Sequence, residues 1–144
     1  MISEFRGVHR FLSNFWPVEI RFEGVEYPTV EHAYQAAKTN DLYFRKLIQG
    51  CLTPGQAKRM GGKVPIRSDW EKIKDKVMLR LLREKFKHMA LKELLLGTGE
   101  CRLVEGNTWG DTYWGVCNGK GKNQLGNLLM YVREEVAKRL KGKS

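Results

Sequence analysis

The stretch Glu26-Tyr27-Pro28-Thr29-Val30-Glu31-His32-Ala33-Tyr34-Gln35-Ala36-Ala37-Lys38 decides the fold, because the chain changes there from strand to helix. Just upstream, Val18, Ile20 and Phe22 alternate with Glu19 and Arg21, the period of a half-buried strand. Glu23-Gly24 offers a turn and Val25 to Tyr27 a returning strand, so the run reads as a short hairpin ended by Pro28. Thr29 is placed to cap a helix through Lys38, its hydroxyl accepting from a backbone N–H of the first turn. Glu31, Tyr34, Gln35 and Lys38 follow at i, i+3, i+4 and i+7 and share one helical face. Ala33, Ala36 and Ala37 point in other directions and permit close packing.

Helical signals continue downstream. Asp41 to Ile48 reads as a second short helix. Thr53-Pro54 is a cap followed by proline at the first helical position, and Gly61-Gly62 closes that element. Ser68-Asp69-Trp70-Glu71 has capping-box spacing. Behind it Ile73, Val77, Leu81 and Leu82 mark the buried stripe of a long helix reaching about His88, and Leu91 to Leu96 makes another short one. From Cys101 to Gly121 glycine, asparagine and aromatics dominate, with Leu103-Val104 and Tyr113-Trp114 as candidate short strands. Leu125, Leu128, Leu129, Val132, Val136 and Leu140 then recur at helical spacing along a last helix. The glycines are too irregular for a repeat, and no linker interrupts the chain. The expectation is a mainly α, multihelical single domain, residues 1–144, with a small β-hairpin element.

The bulk properties bound the partners. A chain of 144 residues with 42% hydrophobic content supports one real core. The formal net charge of +10 favours anionic partners such as phosphate esters, nucleotides or nucleic acid, against the plainer reading of a solvated basic surface. Cys51, Cys101 and Cys117 form no CxxC pair and are odd in number, which fits reduced thiols in the cytoplasm. Three histidines without ligand spacing argue against a zinc site. Glu4, Arg6 and His9 rule out reading the first residues as a signal peptide, and no apolar run is long enough to span a membrane.

Several segments carry residue types suited to chemistry. Phe11-Leu12-Ser13-Asn14-Phe15-Trp16-Pro17 combines flat walls with Ser13 and Asn14, which can hydrogen-bond a ring edge; equally, its aromatics can plug the core while Ser13 and Asn14 cap a turn. Glu31 sits in the first helical turn, where the dipole favours the ionised form; that suits a base or cation stabiliser, and it also suits a purely structural role. Asp69 at the next helix start has the same two readings. Lys58, Arg59, Lys63 and Arg67 surround Gly61-Gly62, a weak phosphate signal in which glycine would let the backbone approach a ligand. Glu105 to Gly115 packs two carboxylates, Asn107, Trp109, Tyr113 and Trp114 among three glycines, either as a ligand surface or as a hydrophobic anchor. Lys120, Lys122 and Asn123 lead into the last helix, whose N-terminus can receive an anion.

Taken in order, FLSNFWP from Phe11, EYPTVEHAYQAAK from Glu26, PGQAKRMGG from Pro54, SDWEKIKDKVM from Ser68, LVEGNTWGDTYWGV from Leu103 and GKNQLGNLLMYVR from Gly121 resemble the YbiA-like, or NADAR, family over nearly the whole chain. The resemblance implies a mostly helical fold and an N-glycosidase. Its substrates would be phosphoribosyl-aminopyrimidine intermediates of riboflavin biosynthesis, cut at the ribose C1′–N bond to release ribose 5-phosphate. Similar proteins remove ADP-ribose from guanine in nucleic acid, and a non-catalytic ADP-ribose-binding module is a third reading. Carried over by matching motif, Glu31, Asp69, Trp109 and Asp111 stand near the chemistry. Ser13, Asn14, Phe15, Arg59, Asn107, Trp114 and Asn123 stand around the substrate. No metal or other cofactor is implied, and the reaction needs carboxylates to steady an oxocarbenium-like sugar cation. The expected partners are a small phosphorylated ribosyl-heterocycle or ADP-ribosylated nucleic acid, with no membrane.

Overall fold

The computed structural model describes residues 1–142, so the last two positions of the expected 1–144 domain lie outside the described residues. Seven helical segments and two two-stranded sheets make the fold mainly α. The chain forms two compact units, Asn14–Lys85 and Met1–Ser13 with Phe86 onward.

In the first of these, β1 (Ile20–Phe22) and β2 (Val25–Tyr27) pair antiparallel in the register Ile20↔Tyr27 and Phe22↔Val25. Glu23 and Gly24 both adopt positive φ, 50° and 81°, the two-residue turn whose twist matches a hairpin. Ile20, Phe22 and Tyr27 are buried, so the strand alternation read from sequence points inward as expected. α1 (Val30–Ala37) starts at Thr29, whose hydroxyl accepts from the His32 amide at 3.1 Å. All eight residues of α1 are buried, and the helix packs against both strands, α2 (Leu42–Gln49), α3 (Pro54–Gly61) and α4 (Trp70–Lys85). Its three alanines, each fully buried, let these neighbours approach on several sides. α2 is capped by Asp41, and α3 by Thr53 with Pro54 at its start.

Two boundaries differ from the sequence reading. The capping box does not form at Ser68: α4 begins at Trp70, and the Asp69 carbonyl accepts from the Lys72 and Ile73 amides. Glu71 pairs with Lys74 at 2.6 Å along the same helix. α4 also ends at Lys85 rather than near His88, because His88 is the N-cap of the next helix.

The other unit opens with a 3₁₀ helix (Gly7–Leu12), which the sequence reading did not foresee. It continues with α5 (Met89–Gly97), β3 (Gly106–Asn107), β4 (Val116–Cys117) and α6 (Gln124–Lys141). β3 and β4 pair in parallel, and Ile2 bridges Leu103 in parallel. The strand expected at Tyr113-Trp114 therefore lies three residues later, and Leu103-Val104 makes only that isolated bridge. α6 buries Leu125, Leu129, Val132 and Val136 as its spacing requires, whereas Leu140 is 50% exposed. Among the described residues no helix is long and apolar enough to cross a membrane.

Candidate active site

Glu31 is the second residue of α1 and is 7% exposed. Its backbone amide, one of those left over at a helix start, donates to the Asn14 carbonyl at 3.1 Å. Asn14 is thus tied to the turn that carries Glu31. The carboxylate accepts from Gln35 Nε2 at 2.8 Å, the i, i+4 contact implied by the shared helical face. The Asn14 side chain donates weakly to Met78 Sδ at 3.7 Å, while its Oδ1 is buried and accepts no hydrogen bond.

Cations gather at the other end of α1. Burial pushes the Lys38 ammonium below its ordinary pKa; Glu31 opposes this, and Lys58 on α3 and Lys74 on α4 add to it. Lys38 Nζ stands 5.6 Å from the centre of the Tyr34 ring, which itself meets Trp70 at 5.2 Å between centroids. Arg59 is exposed on α3. Arg67 does not stand open to an anion: its Nε and guanidinium bond the Asp69 carboxylate at 2.7 and 3.2 Å. That hydrogen bonding holds the Asp69 carboxyl below its usual range and raises Arg67. Gly61 also departs from the phosphate reading, since a Cβ there would run into the Gln35 side chain and its bare face is filled from within the fold.

His32 lies beside Glu31 in sequence and has a structural place. Nε2 is 2.9 Å from the Cys51 carbonyl and Nδ1 is 2.8 Å from Thr29 Oγ1. A carbonyl only accepts, which assigns the proton to Nε2 and makes Thr29 the donor to Nδ1. Burial lowers the His32 pKa, consistent with a neutral ring, although the Cys51 contact opposes it.

The remaining candidates collect in the other unit. Asp111 Oδ1 accepts from the Tyr113 and Trp114 amides at 3.1 and 2.9 Å, folding the chain back on itself. Asn107 spans the same turn, donating to the Asp111 carbonyl at 2.9 Å and accepting from its amide at 3.1 Å. Asn123 adopts φ 54° before α6 and bonds the Leu103 carbonyl and the Glu105 amide, both at 2.9 Å. Its side-chain amide is therefore spent on backbone. Trp114 is half-buried, and Trp109 is 55% exposed at the end of this braced loop. Ser13 is half-buried, its amide closing the 3₁₀ helix onto Arg10; Phe15, which belongs to the Asn14–Lys85 unit, is 38% exposed.

Lys85 was missed by sequence reasoning. It is fully buried in α4, and burial pushes its ammonium down to about 7. Its position, four residues after Leu81 on the apolar stripe, was the available signal. Among the described residues no group of three or more His, Cys, Asp or Glu side chains is arranged to hold a metal ion.

The candidate site is thus a buried carboxylate at a helix start, met by the Gln35 amide and carried on a turn bonded to Asn14. The NADAR domain model matches residues 4–137, and the chain belongs to that family. It is similar to N-glycosidase YbiA of Shigella boydii, with 46% identity over 87% of this chain and 80% of the relative. It is also similar to a Vibrio vulnificus riboflavin biosynthesis protein, 38% identical over 89% of this chain but 36% of that longer protein. The NMR structure of E. coli YbiA superposes with a TM-score of 0.84 at 41% identity, covering 96% of this chain and 86% of that one. The chain is an enzyme of the N-glycosidase class.

Proposed function

We propose that this enzyme hydrolyses the ribose C1′–N bond of a phosphoribosyl-aminopyrimidine of the riboflavin pathway, releasing ribose 5-phosphate. The observation that carries the reading is the buried Glu31 carboxylate, oriented by Gln35 on a turn whose Glu31 backbone amide donates to the Asn14 carbonyl. In the reaction the C1′–N bond breaks with its electron pair going to nitrogen. Positive charge develops on the ribose, and water adds to C1′. An ionised Glu31 stabilises that charge and takes the proton that water loses; the departing nitrogen gains one. Asn14 Oδ1, buried without a donor, is suited to accept from a substrate hydroxyl or amino group. Lys38, Lys58 and Lys74 make this part of α1 cationic, and Arg59 adds a further charge on α3, as a phosphorylated substrate requires. Asp69 acts by holding Arg67, and Asp111 by bracing the aromatic loop. A cytoplasmic setting belongs to the same proposal and is supported by three free thiols.

The net charge of +10 favours one second reading, removal of ADP-ribose from guanine in nucleic acid. Incubating the protein separately with a phosphoribosyl-aminouracil, an ADP-ribosylated guanine oligonucleotide and free ADP-ribose distinguishes the two. Release of ribose 5-phosphate from the first alone is the expected result. Turnover of the oligonucleotide alone would replace the proposal with the second reading, and binding of ADP-ribose without turnover of either would make the chain a binding module.

A further inference from the structure

Gln35 lies one helical turn beyond Glu31 and is 3% exposed. Its Nε2 donates to Glu31 Oε1, whereas its own Oε1 is buried and accepts no hydrogen bond. That orientation follows from chemistry: the reversed amide would set an oxygen against a carboxylate. A glutamine has enough rotameric freedom that something must hold the amide this way round. Gly61, on α3, leaves the space in which the amide sits. A Cβ at Gly61 would stand 2.6 Å from Gln35 Cδ and 3.0 Å from Gln35 Cβ, and would overlap Oε1. Gly61 is absent from the positive-φ residues, so backbone freedom is not why glycine stands there. Gly62, the next residue, is the C-cap of α3. The two glycines therefore do different work: Gly62 ends the helix, and Gly61 is a notch that receives the Gln35 amide.

We infer that Gln35 and Gly61 form a positioning pair for Glu31, the notch in α3 seating the amide so that its N–H faces the carboxylate. Neither residue need touch substrate; they fix where a carboxylate on a short helix points, and the inference rests on Glu31 being the reacting carboxylate of the proposed function. The unpartnered Gln35 oxygen is consistent with this, because a buried acceptor without a donor is a cost that a merely structural glutamine would shed by rotating or by giving way to an apolar residue.

The test uses the whole chain. Gln35→Ala removes the donor and only creates space. It should lower kcat about 10–100-fold, the scale of a misplaced catalytic group, with KM changed much less. Carbon NMR of the Glu31 carboxyl in the ligand-free protein should show its titration moving to higher pH, since a donor to the ionised form is lost. Gly61→Ala should reproduce both effects by displacing the amide. Added to Gln35→Ala, it should cost nothing further in kcat, because the room it fills is vacant. If Gly61→Ala does not fold, Gln35→Ala and the double variant, in which the overlap is relieved, still decide: equal kcat supports the pair, and a further fall overturns it. Lower melting temperatures with kcat and the Glu31 titration unchanged would also overturn it. The carbon titration needs no substrate. Wild-type protein inert toward phosphoribosyl-aminouracil would sink the proposed function, whereas an unmoved titration in Gln35→Ala sinks the positioning pair.

Discussion

Lys85 gives the stability of this protein a pH dependence of predictable sign. Its side chain is fully buried, and its ammonium is pushed from an ordinary 10.5 to about 7. The folded state therefore disfavours the charged form by roughly 5 kcal/mol. Between the folded and unfolded pKa values the folded chain leaves this amine neutral and the unfolded chain protonates it. Unfolding then takes up a proton, and stability rises with pH by a little over roughly 1 kcal/mol per pH unit. Below about pH 7 the amine is charged in both states and the penalty is fully present. Lys85→Met removes the titration while keeping an unbranched side chain. The assay is urea unfolding of wild type and variant at several pH values, reading the difference between the two curves. Common contributions cancel in that difference, including Lys38, which is lowered, and Tyr27, which burial raises. From about pH 7.5 to about pH 9.5, wild type should gain roughly 3 kcal/mol on the variant. A difference that stays flat over that range would refute the reasoning, because the buried amine would then keep its ordinary affinity for protons.

The other expectations concern the site. Glu31→Gln keeps shape and removes charge, so single-turnover rates should fall about 100-fold or more, whereas a structural dipole partner would lose only about 0.3–1 kcal/mol of stability with turnover preserved. Arg59→Ala should weaken binding of a phosphorylated substrate by up to roughly 1.5–3 kcal/mol relative to its dephosphorylated form; equal losses, measured by calorimetry, would remove Arg59 from phosphate binding. Asp111→Ala should cost about 1–3 kcal/mol by freeing the Tyr113 and Trp114 amides, while Asp111→Asn, which retains the accepting oxygen, should hold its melting temperature; similar losses in both would mean that charge rather than the turn is what matters.

What the sequence made legible was local chemistry. Thr29, Thr53 and Pro54 start helices because capping needs only a hydroxyl or a missing N–H at one place in the chain, and both were found where expected. The buried stripe of α6 was readable for the same reason, as a period along one element, except at Leu140, which is half exposed. The aromatic loop failed this kind of reading. Tyr113-Trp114 has strand-forming residues, but the Asp111 carboxylate takes both amides into a turn, and pairing falls instead on Val116–Cys117. No local propensity reveals that competition.

Gly61 shows the limit most clearly, and it bears on how the site should be sought. Beside Lys58, Arg59 and Lys63, a pair of glycines reads as backbone left bare for a ligand. In the fold the bare face of Gly61 meets Gln35, and Gln35 meets Glu31. The residue that requires the glycine lies on another helix, so no spacing rule connects them. A glycine within a cationic segment is thus as informative about the side chain it admits as about a ligand. The cations proposed to meet phosphate are then the lysines around the end of α1, where Lys58 on α3 and Lys74 on α4 act electrostatically on Lys38.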